Sequence, residues 1–131
     1  MDYKEFYVEL GKLLYAVAKA DGEVQDEELY KIYQMVISDL SDALLFDRED
    51  EVDAYYTEFE FEALIDKNAD MHVAFKSFMT YFEANQNNFT HQMRATTLKA
   101  VEAVAMAFEG IVPEEQVIID EIRNKLKNEV N

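Results

Sequence analysis

Leu13-Leu14-Tyr15-Ala16-Val17-Ala18-Lys19-Ala20-Asp21-Gly22-Glu23-Val24-Gln25-Asp26-Glu27-Glu28 is an apolar helical stretch that runs into an acidic Asp-Gly turn. The same grammar returns as Val101-Glu102-Ala103-Val104-Ala105-Met106-Ala107-Phe108-Glu109-Gly110-Ile111-Val112-Pro113-Glu114-Glu115. Setting Gly22 against Gly110, a shift of 88 residues (110 less 22), also places Val24 on Val112 and Glu27 on Glu115. Internal duplication of a helix-turn-helix unit is the simplest reading.

Upstream of the first turn, Phe6, Leu10, Leu13, Leu14 and Val17 recur at spacings that keep them on one helical face, which predicts a helix from Tyr3 to Lys19. Gly22 supplies the permissive residue past its end. Leu29, Ile32, Tyr33, Val36 and Ile37 then mark a second amphipathic helix, so the two should pack as a hairpin. In the later copy, Thr90 caps a helix that buries Met93, Thr97, Ala100, Val101, Val104, Ala105 and Phe108 and stops at Glu109-Gly110. Pro113 is well placed in a first helical turn, with Glu114 and Glu115 complementing the dipole. The last helix follows through Val117, Ile118, Ile122 and Leu126, with Arg123, Lys125 and Lys127 near its C-terminal end.

Between the two halves, about residues 5–38 and 90–127, lies a connector of about 39–89. Ser41 to Phe46 reads as a short helix, and Asp47-Arg48-Glu49-Asp50-Glu51-Val52-Asp53 as a solvated acidic loop. Glu58-Phe59-Glu60-Phe61-Glu62 alternates like a strand, but the chain offers no partner strand of similar pattern, so a short helix is expected. After a turn at Asp66-Lys67-Asn68, Val73, Phe75, Phe78, Met79 and Phe82 describe an apolar helical face ending near Asn85-Gln86-Asn87-Asn88. The expected fold is therefore all-α, a single helical bundle across residues 1–131.

Twelve basic against 28 acidic residues give a formal charge of −16, a field that repels nucleic acid and anionic lipid. It attracts cations or a basic face on a protein partner, although high charge also serves solubility alone. Without cysteine, disulfides, thiolate metal sites and cysteine nucleophiles are excluded. Met1-Asp2-Tyr3-Lys4-Glu5 lacks a signal-peptide pattern, and no run approaches the ~18 apolar residues of a membrane span, so a cytoplasmic chain without direct membrane insertion is expected.

Asp21-Gly22 invites comparison with a calcium loop, where glycine holds position 6 and oxygen ligands hold 1, 3, 5 and 12. Asp21 and Glu28 then fall at positions 5 and 12, but Val17 and Lys19 stand where carboxylates are needed. The second copy offers Ala105, Ala107 and Gln116. Neither turn is an EF-hand. A looser site remains in which Asp21 and Glu28 reach one side of the turn and hold a hard cation such as calcium or magnesium. The competing reading makes Glu28 the glutamate of a capping box after Gln25, with Asp21 merely accompanying the turn.

His72 and His91 lie far apart in no ligand spacing and read as surface or helix-start residues. Ser38, Ser41 and Ser77 lack a nucleophile elbow or a nearby histidine, and no Gly-rich phosphate loop is present, so no enzyme is expected. Phe75, Phe78, Met79, Phe82 and Met93 suit a core or a ligand groove, and their helical spacing favours core.

The chain resembles the TerB-like family, named for the tellurite resistance protein TerB. The resemblance rests on Ala16-Val17-Ala18-Lys19-Ala20-Asp21-Gly22-Glu23-Val24 with Glu28, and on Ala107-Phe108-Glu109-Gly110-Ile111-Val112-Pro113-Glu114-Glu115, and extends over about residues 5–127. It implies pseudo-symmetric helix hairpins and an acidic cluster for a divalent cation such as calcium, magnesium or manganese. Asp21, Glu28 and Glu109 would contribute to that cluster, while Gln116, at the position equivalent to Glu28, lends only a neutral oxygen. The likeness further implies a non-catalytic scaffold in stress or metal response, working in a larger assembly near the membrane. The co-chaperone branch of the family is not matched, because the chain has no His-Pro-Asp tripeptide. The expected function is cation binding with docking of a basic protein partner; the alternative is a metal-independent acidic interaction module.

Overall fold

The helix read over the first apolar stretch is present in the computed structural model as α1, Tyr3–Lys19. The structure describes residues 3–20, 27, 30, 34, 51–106 and 113–127. Along these the chain forms α2 (Glu51–Lys67), α3 (Met71–Ala84), a 3₁₀ turn (Gln86–Asn88), α4 (His91–Met106) and α5 (Pro113–Lys127). The protein is an all-α bundle, with no strand among the described residues.

The expected face of α1 is buried: Phe6, Leu10, Leu13, Leu14 and Val17 are all at most 1% exposed. Burial does not stop there, since Tyr7, Tyr15, Ala16 and Ala18 are enclosed as well. A one-sided amphipathic helix is thus corrected to a central one, because α2, α3, α4 and α5 all pack against α1. Close approach to α2 depends on Gly11: a Cβ there would stand 2.8 Å from the Thr57 carbonyl oxygen. At the same crossing the buried Thr57 hydroxyl donates to the Tyr7 carbonyl at 2.7 Å.

The acidic loop expected over residues 47–53 is corrected at its end, where Glu51, Val52 and Asp53 form the first turn of α2. Acidic residue types are favoured in a first helical turn, where the helix dipole is positive. The strand-like alternation from Glu58 to Glu62 sits inside this helix, with Phe61 buried and Phe59 turned outward. Helix α2 ends as Asn68 enters the left-handed region at φ 50°. There Asn68 N–H donates to the Ile65 carbonyl and Ala69 N–H to the Leu64 carbonyl, both at 3.0 Å, a Schellman closure that asparagine tolerates better than most residues.

Asp70 caps α3 by accepting from the N–H groups of His72 and Val73. The buried face is Ala74, Phe78, Tyr81 and Phe82, with Phe75 and Met79 half-buried against it. Val73, expected on this face, is 69% exposed, since it lies about 100° around the helix from Ala74 and away from Phe78 and Phe82. Phe89 closes the aromatic centre, its ring 4.8 Å from Phe82 and 5.6 Å from Phe6 between centroids.

Thr90 caps α4 as expected, its hydroxyl accepting from Met93 N–H at 3.1 Å. Met93, Thr97, Ala100, Val101, Val104 and Ala105 are buried. In α5 the inward row is Ile118, Ile119, Ile122 and Leu126, whereas Val117 is corrected to the surface at 65% exposure, off the edge of that row. Helices α1 and α4 begin at Tyr3 and His91, positions equivalent under the 88-residue shift (91 less 3), yet α1 is enclosed and α4 buries one side. The Gly22 turn, the apolar positions of the helix expected over 29–37, the Ser41 to Phe46 helix, Phe108 and the Glu109-Gly110 stop lie outside the described residues. Within that stretch Glu27, Tyr30 and Gln34 are helical and exposed.

Candidate functional site

Asp21, Glu28 and Glu109 all lie outside the described residues. What is described is their frame. The final turn of α1 closes with Ala20 N–H donating to the Ala16 carbonyl at 3.0 Å, Glu27 stands exposed on a helix, and α4 extends to Met106. Gln116 is half-buried, and its amide nitrogen donates to Asp120 Oδ1 at 2.7 Å. Among the described residues no three Asp, Glu or His side chains gather into a ligand set. His72 and His91 sit exposed at the starts of α3 and α4, as the sequence suggested.

A polar ring that sequence reasoning missed joins α1 to α3. Lys12 Nζ donates to Glu9 Oε2 at 2.8 Å and to Ser77 Oγ at 3.1 Å, and Ser77 Oγ donates to Glu9 Oε1 at 2.7 Å. Glu9 is buried at 7% exposure, so its charge depends on these two partners. The lysine donates a hydrogen bond to the serine oxygen and the serine donates to the carboxylate, so the ring braces α1 against α3 with its charges paired. It borders an open groove of about 600 Å³ whose walls include Glu5, Val73, Lys76 and Thr80. The available signal was Glu9 and Lys12 at three-residue spacing, the two charged residues within the Phe6 to Ala18 stretch of α1.

Arg94 is the second missed residue. Buried at 7% exposure, it donates from Nη1 to the Leu126 carbonyl at 3.0 Å and from Nη2 to the Gln86 carbonyl at 3.1 Å. Its guanidinium lies 5.2 Å from the centre of the Phe82 ring. One planar fork thus fastens the C-terminal turn of α5 to the 3₁₀ turn, with its positive charge where the α5 dipole favours it. Two further ion pairs tie α5 down, Arg123 to Glu102 at 2.6 Å and Lys125 to Glu83 at 3.1 Å. The basic cluster expected at this helix end therefore works partly through acidic residues of α3 and α4.

On the far side of α2 the Tyr30 hydroxyl donates to Glu62 Oε1. That hydrogen bond holds the phenol above its ordinary pKa, with desolvation and the charges of Glu62 and Glu58 adding to it and Gln34 opposing.

Among the described residues, no helix is long and apolar enough to cross a membrane. Compared with family models, curated proteins and solved structures, the chain finds no match.

Proposed function

We propose that the chain is a non-enzymatic, TerB-like helical domain that binds a divalent cation through Asp21, Glu28 and Glu109 and docks a protein partner with a basic surface. The observation that carries this reading is that two helices which pack together are each followed in sequence by an acidic residue and a glycine. Helix α1 is followed in sequence by Asp21-Gly22 and α4 by Glu109-Gly110, and α1 contacts α4. Carboxylates delivered from two such segments would suit a hard cation, and an ion held there would bridge the two halves of the chain. The −16 charge supports the docking part, since it favours encounter with a basic surface. A scaffold in stress or metal response is the role such a domain would fill.

The test is thermal unfolding in calcium, magnesium or manganese against sodium at matched ionic strength, for the parent and for Asp21→Asn/Glu28→Gln. A bound ion at 100 times Kd adds about 2.7 kcal/mol in the parent, and the double variant loses it. An equal effect in both proteins would reduce the ion to general screening and leave a metal-independent interaction module.

A further inference from the structure

We draw no further inference here: the strongest candidate, the open groove of about 600 Å³ between α1 and α3 beside Glu9, Lys12 and Ser77, carries nothing, because those three side chains satisfy one another and nothing among the described residues shows what would occupy it.

Discussion

Gly11 of α1 and the Thr57 carbonyl of α2 are so close that a single added methyl group would lie 2.8 Å from the oxygen. The nearest neighbours are the Thr57 backbone and the Glu60 Cβ, neither of which is the free end of a flexible side chain. Space at this crossing, and not backbone freedom, is what glycine provides. On helix propensity alone Gly11→Ala would gain about 1 kcal/mol. The expected outcome in urea unfolding is instead a net loss of about 1–3 kcal/mol from overpacking. A stabilised variant would show that α1 and α2 separate without cost.

Arg94 serves two carbonyls and one ring from a buried position. Arg94→Met keeps much of the apolar stem but leaves the Leu126 and Gln86 carbonyls without its donors. A loss of about 2–3 kcal/mol is expected in urea unfolding. Arg94→Lys should recover only part of it, since one ammonium cannot reproduce the fork. Full recovery by lysine would mean that charge alone matters there.

The Glu9, Lys12 and Ser77 ring should behave as one unit. In a double-mutant cycle, Glu9→Gln and Ser77→Ala are expected to couple by about 0.5–3 kcal/mol, as groups sharing a hydrogen-bond network do. Additive losses would make the two helices' polar contacts independent. A companion measurement with a serine-reactive fluorophosphonate should leave Ser77 unlabelled, in keeping with its role as a brace.

Tyr30 gives a pH signature. Its phenol is raised by Glu62, so the neutral form is favoured in the folded chain, and the contribution is complete below the unfolded tyrosine pKa of about 10. It is lost as pH climbs through the higher folded value. Ultraviolet titration of tyrosinate should therefore show a late-ionising component that is missing in Tyr30→Phe. An unchanged profile would indicate that the hydroxyl does not hold Glu62 in solution.

Periodicity made much of this architecture legible. The bounds of α1, the Thr90 cap, the Pro113 start and the buried faces of α4 and most of α5 follow from spacing and capping chemistry, which act within a few residues of chain. Val73 and Val117 were misplaced because an apolar residue at a helix edge satisfies the same loose pattern as one on the face. Of the candidate site, Asp21 and Glu28 stand out as carboxylates between two expected helices, and Glu109 enters only through the resemblance to the TerB-like family.

The sequence by itself determined that the chain is helical and where several helices begin, since hydrogen bonding, dihedral preference and caps are local properties. Only the tertiary structure decided that α1 is surrounded, that Gly11 fits a crossing, that Glu9 finds Ser77 at 2.7 Å and that Arg94 closes the end of α5. Those contacts join residues distant in the chain, 68 apart for Glu9 and Ser77 and 32 for Arg94 and Leu126. Such distances depend on how whole helices cross, and no local pattern carries that information.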